Sequence, residues 1–126
     1  MSLELFLITA LLFKHFVADF VLQTPYQVLN KGRYGHPAGL LHVSIHLALS
    51  FLVLVAVMEW GSALATHMVM WALFVEAIVH YHMDWLKCQV SQRMDLKPDN
   101  CHYWWLTGLD QMVHHATYVV MVLMVV

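Results

Sequence analysis

The chain has 126 residues, 61% of them hydrophobic and only 11% charged, with a net charge of −2 and a mean hydropathy of +0.66. That is room for one domain, and far more apolar than an ordinary soluble chain. Six Lys and Arg residues provide no basic face, which excludes nucleic acid as a partner.

Four apolar segments approach the roughly 20 residues needed to cross a hydrocarbon core. They cover residues 2–23, 38–58, 63–86 and 104–126, so the expected fold is all-α, an integral membrane four-helix bundle forming a single domain over residues 1–126. The first segment begins Met1-Ser2-Leu3-Glu4, without a basic region or a small-x-small cleavage pattern. It is therefore expected to be a retained span, not a signal peptide. Pro25 can end it, and Gly35, Pro37 and Gly39 punctuate the approach to the second. The connection Glu59-Trp60-Gly61-Ser62 is short enough to make segments two and three an antiparallel hairpin. Pro98, Asp99 and Asn100 mark the loop before the fourth, and Trp85, Tyr103, Trp104 and Trp105 stand where interfacial aromatics lie. Cys88 and Cys101 form no CxxC pattern and read as free thiols.

Charge sets the expected orientation. Lys31 and Arg33 lie in one long loop, and Lys87, Arg93 and Lys97 in the other, while the opposite side carries Glu4 and Glu59. By the positive-inside rule both long loops face the cytoplasm, with both termini outside, in the inner (cytoplasmic) membrane of the cell.

Each segment carries one pair of metal-capable side chains four residues apart: His15/Asp19, His42/His46, His80/Asp84 and Asp110/His114. That spacing puts both members on one helical face. Counted from the loops at 1.5 Å per residue, all four pairs fall in one layer about 10–15 Å deep on the cytoplasmic side. Ionisable groups inside a span are costly unless paired, and they face the interior. Five His and three Asp are too many for one tetrahedral ion and suit two divalent ions. A donor set of nitrogen and oxygen without cysteine points to Zn, Mn or Fe. The Glu-x-x-His pairs of bundle di-iron enzymes are absent, which disfavours oxygen chemistry.

The surrounding residues read differently. Glu76, one turn further along the third segment, is a candidate catalytic base or an additional ligand. Lys14 stands at similar depth, so either a buried Lys14–Glu76 pair or a Lys14 that snorkels or meets another subunit is expected. Gln23 and Gln111 are candidate hydrogen-bond donors to the ligands. His115 falls off the ligand face, and His36, His67, His82 and His102 read as interfacial. The pairs His42/His46 and Asp110/His114 are offset by the same interval, and His15/Asp19 has a counterpart in His80/Asp84, which suggests two repeated helical hairpins.

The ordered set His15-x3-Asp19-Phe-Val-Leu-Gln23, Lys31, Leu41-His42-x3-His46, His80-x3-Asp84-x2-Lys87 and Asp110-Gln111-x2-His114 resembles a family of small multi-span membrane proteins of bacteria and phages, known as domain of unknown function 3307. The resemblance implies a membrane protein with this site and leaves its reaction open. His-x3-Asp on membrane helices is also similar, more loosely, to predicted membrane-bound metal-dependent hydrolases.

The expected activity is a metal-dependent hydrolase of a lipid or phosphate ester at the cytoplasmic interface, with membrane lipid and a lipid-linked substrate as partners. Lys31, Arg33 and Lys87 would attract an anionic headgroup. Two alternatives stand beside it: a non-catalytic accessory or structural subunit of a membrane complex, and a metal transporter. A homo-oligomer and a larger membrane complex both remain open.

Overall fold

Ser2 starts the first helix by accepting a hydrogen bond from the Leu5 amide at 3.3 Å, and α1 runs Leu3–Phe16. The computed structural model describes residues 2–59 and 66–126. Among them are five α-helices and one π-helical turn, and no strand. The π turn, Val17–Val21, continues α1 and ends with the Leu22 amide bonded to the Val17 carbonyl at 2.9 Å. Asp19 lies inside it.

Pro25 does more than end a helix. Thr24 accepts from the Gln27 amide, and the Gln27 side chain accepts from the Thr24 amide. This capping box, with proline at the first position, nucleates a short helix, α2, at Pro25–Asn30. Then follow α3, Pro37–Glu59, α4, Thr66–Arg93, and α5, Cys101–Val125, the last capped by Asn100. Helix α4 runs on to Arg93, past the expected end near Leu86. Apart from Glu59, the expected turn at 59–62 lies outside the described residues, as does Ala63.

The four long helices form a closed ring in which α4 packs on α3 and α5, and α1 on the same two. Helices α1 and α4 sit diagonally and meet through side chains. Helices α3 and α4 are antiparallel: Leu40 and Val43 lie beside Ile78 and Tyr81, while Phe51 lies beside Met70 and Phe74. The loop after α2 presses onto α4 at Gly32, where an added Cβ would stand 2.7 Å from the Cys88 Cβ. The Gln89 side chain fastens that contact by donating to the Gly32 carbonyl at 2.7 Å.

The interior has two storeys. Leu7, Leu11, Leu54, Val57, Ala72, Met121 and Val122 fill one with apolar packing. Buried His15, His42, His46, His80, Asp84, Asp110 and His114 fill the other. Outside, Phe13, Phe51, Leu52, Trp71, Phe74 and Leu123 are exposed. Four spans were expected; among the described residues one helix, α3, contains a stretch (Pro37–Met58) long and apolar enough by composition to cross a membrane.

Candidate functional site

The eight expected ligands converge on the polar storey. Asp19 Oδ1 lies 3.0 Å from His46 Nε2 and 3.3 Å from His42 Nε2. His42 Nε2 also lies 3.2 Å from Asp84 Oδ2 and 3.3 Å from His80 Nε2. On its other flank the His80 ring stands 4.1 Å from the His114 ring, centroid to centroid. Two groups of donor atoms result, each drawn together within 4.8 Å: Asp19, His42, His46 and His80, and His80, Asp84 and His114. Six of the eight expected residues belong to them, and His80 belongs to both.

The π turn explains how Asp19 enters. Its wider coil changes the angular step between His15 and Asp19, so the carboxylate reaches toward α3 while His15 stays over α5. Gln23 then donates to the Asp19 carbonyl at 2.7 Å, taking up a backbone group at the helix end.

His15 and Asp110 stand beside these groups. His15 Nε2 lies 3.0 Å from Gln111 Oε1 and 3.2 Å from Asp19 Oδ2, so its proton sits on Nε2. Its Nδ1 then accepts from the Tyr118 hydroxyl at 2.9 Å. In this tautomer His15 orients Asp19 and holds no lone pair toward a cation. Asp110 Oδ2 accepts from Lys87 at 2.9 Å and from Gln111 at 3.3 Å. Its backbone carbonyl accepts from His114 Nδ1 at 2.7 Å, which leaves the His114 lone pair on Nε2.

Hydrogen bonding does not satisfy the cluster. His42 Nδ1, His114 Nε2 and Asp110 Oδ1 are buried without a partner. At His42 Nε2 three acceptor-capable atoms compete for a single proton. Buried polar groups are normally paired, so a gathering of lone pairs with too few protons is the arrangement a divalent cation would satisfy.

Lysines close the site on the loop side. Lys31 donates to Asp84 Oδ2 at 3.1 Å. Burial works against its charge, but Asp84 and Asp19 outweigh that and hold its pKa above the ordinary value. Arg33 is exposed and stands apart from the cluster.

Lys14 meets Glu76 in a fully buried pair, as expected from their shared depth. Lys14 Nζ also lies 4.5 Å from the centroid of the Tyr118 ring and 3.4 Å from the His46 carbonyl. Glu76 faces a crevice with His80, His114 and Tyr118 that is too small for a water molecule. On the loop side, by contrast, a cavity of about 470 Å³ reaches from the surface to Asp19, Asp110 and Gln111.

Of the remaining histidines, His67, His82 and His102 are exposed, and His36 accepts from the Ala38 amide at 3.1 Å. His115 is exposed, with its ring 5.4 Å from that of His15. Both cysteines are free thiols.

Sequence reasoning missed Tyr118, although it continues the stripe of Asp110 and His114 at the same four-residue interval. Tyr118→Phe is expected to cost about 1–3 kcal/mol by leaving His15 Nδ1 buried and unpaired. Thermal unfolding of the purified variant measures it, and an unchanged melting temperature would show that this hydroxyl holds nothing.

A ring of helices closed around a buried His/Asp cluster defines the class. The chain belongs to the family described as Protein of unknown function (DUF3307), which matches residues 7–126 and so includes every residue of the cluster. No curated protein and no solved structure matches it.

Proposed function

We propose that the protein is an integral membrane metal-dependent hydrolase that holds two divalent cations (Zn, Mn or Fe) in the His/Asp cluster and acts on a phosphate or lipid ester at the cytoplasmic face. One observation carries the reading: lone pairs from four helices crowd together with too few protons among them, and His42, His114 and Asp110 retain unpaired buried atoms.

Asp19, His42 and His46 would hold one ion and Asp84 and His114 the other, with the single lone pair of neutral His80 within reach of either. Divalent ions there would acidify a water molecule and polarise an ester oxygen. The chain's own residues do the rest. Gln111 donates to Asp19 and Asp110, His15 orients Asp19, and the Asp110 carbonyl sets the His114 tautomer.

Glu76 was the candidate base or additional ligand, but it is bound by Lys14 and stands roughly 16 Å along α4 from Lys87, at 1.5 Å per residue. Its part in the proposal is to neutralise Lys14. The open cavity lies at the other end of the cluster.

The membrane setting is supported by the apolar exterior around a polar interior, and by Lys31, Arg33, Lys87, Arg93 and Lys97, which all stand at the same end of the ring, in the loops or at the helix ends beside them. Transport is disfavoured, because Leu7, Leu11, Leu54 and Met121 pack between the cluster and the far end of the ring.

A second reading rests on the lysines. Lys31 and Lys87 already compensate Asp84 and Asp110, as in a polar network that only ties helices together within a larger complex. Elemental analysis of the purified protein separates the two. About two equivalents of metal per chain are expected, with hydrolysis of a phosphomonoester abolished by a chelator and restored by the same metal. Protein that carries no metal after purification and takes none up would leave the polar network as the answer.

A further inference from the structure

We propose that the cavity on the loop side of the cluster binds a phosphoryl group, and that Lys31 is released to that group when Asp84 takes a cation. The inference rests on the metal reading above and names the substrate class of the same site.

Charge balance motivates it. Around the cluster, Asp19, Asp84 and Asp110 face Lys31 and Lys87, while Lys14 and Glu76 cancel one another. Three carboxylates against two ammonium groups leave one negative charge. Two divalent ions would turn that into a threefold positive excess. A positive excess in a partly buried site calls for an anion, and a dianionic phosphoryl group meets it better than a monoanionic carboxylate.

The cavity has the size and lining for such a ligand. At about 470 Å³ it falls in the range of small-molecule sites. Lys31, Lys87, Gln23 and Gln111 line it, and Asp19 forms part of its floor. Thr107 Oγ1 also lines it and is buried without a partner. Phe20, Val28 and Trp104 line it too, each more than half exposed, and they would lie along the apolar part of an amphiphile.

Lys31 is the coupling element. Its partner oxygen, Asp84 Oδ2, belongs to the second metal group, and its side chain is largely covered. A cation at Asp84 weakens the Lys31–Asp84 attraction and leaves an ammonium at the cavity wall in need of a counter-ion. Lys87 remains with Asp110, which lies outside both groups. Metal and phosphoryl group therefore bind cooperatively, and by linkage each tightens the other to the same extent.

The test uses the full chain in detergent, with inorganic phosphate as the probe, titrated by calorimetry against zinc-loaded and chelated protein. Zinc is expected to tighten phosphate binding about tenfold or more. Lys31→Met should keep the metal stoichiometry and lose that gain, and Lys31→Arg should recover most of it. Thr107→Val, which alters the cavity without touching a carboxylate, is expected to weaken phosphate binding about fivefold and guards against a misfolded Lys31→Met. A further arm compares phosphatidic acid dispersed in phosphatidylcholine with phosphatidylcholine alone. Preference for the first identifies a lipid source, and binding of inorganic phosphate alone identifies a soluble one; either supports the site. Loaded protein that binds neither, or binds phosphate equally well after Lys31→Met, overturns the inference and leaves the metal reading standing. A protein that takes up no zinc removes both.

Discussion

Replacing His80 by alanine is expected to empty both halves of the cluster. Its Nε2 lies 3.3 Å from His42 Nε2 and 3.6 Å from Asp84 Oδ2, and its ring stands 3.9 Å from that of His46. Each of the other five grouped residues belongs to one group; this imidazole belongs to both. Metal content should fall from about two equivalents to below one, and hydrolysis to the level seen with chelator. Gln111→Leu gives the scale for a residue acting through Asp19, about 10–100-fold in metal affinity. His82→Ala, on the exposed side of the same helix, should leave metal content unchanged. Retention of two equivalents by His80→Ala would mean that the ions do not meet at this ring.

The second large effect concerns stability. Lys14 and Glu76 are 4% and 1% exposed, so removing either partner strands a charge in the interior. Lys14→Met is expected to cost about 3–5 kcal/mol, as in other broken buried pairs. Replacing both, as in Lys14→Met with Glu76→Leu, removes the stranded charge and should recover most of that loss. Unfolding midpoints of the two single variants and the double variant, taken in one detergent, give the coupling. Additive losses would show that the two side chains do not depend on one another. Metal content is read beside stability, because Lys14 Nζ lies 3.4 Å from His46 Nδ1 and its loss reaches that ligand.

The convergence of the cluster was legible because four-residue spacing and depth along a helix are properties of sequence alone. His42/His46 and His80/Asp84 needed only regular helices to meet. The Lys14–Glu76 pair followed from the same depth argument. Other features had weaker signatures. A π turn is a slip of one residue in backbone bonding, and nothing in Val17-Ala18-Asp19-Phe20-Val21 announces it. The capping box at Thr24 and Gln27 was visible as a pattern, but Pro25 was taken only as a stop. Lys31 and Lys87 were assigned to topology and headgroup attraction, and their bonds to Asp84 and Asp110 depend on how the loop after α2 and the start of α5 fold back. Whether His15 orients or ligates was not readable at all, because its tautomer is set by Gln111 and Tyr118 from another helix.

The anchorage at Gly32 has a mechanical consequence. Close approach to Cys88, the Gln89 hydrogen bond and the Lys31–Asp84 pair all tie the segment after α2 to α4, although its chain neighbours are α2 and α3. That segment and α4 therefore travel as one plate. Displacement between this plate and α1 is absorbed at residues 22–24, where Thr24 is extended at φ −91° and ψ 159°. The first turns of α5, bearing Trp104 and Thr107, form the facing wall of the cavity.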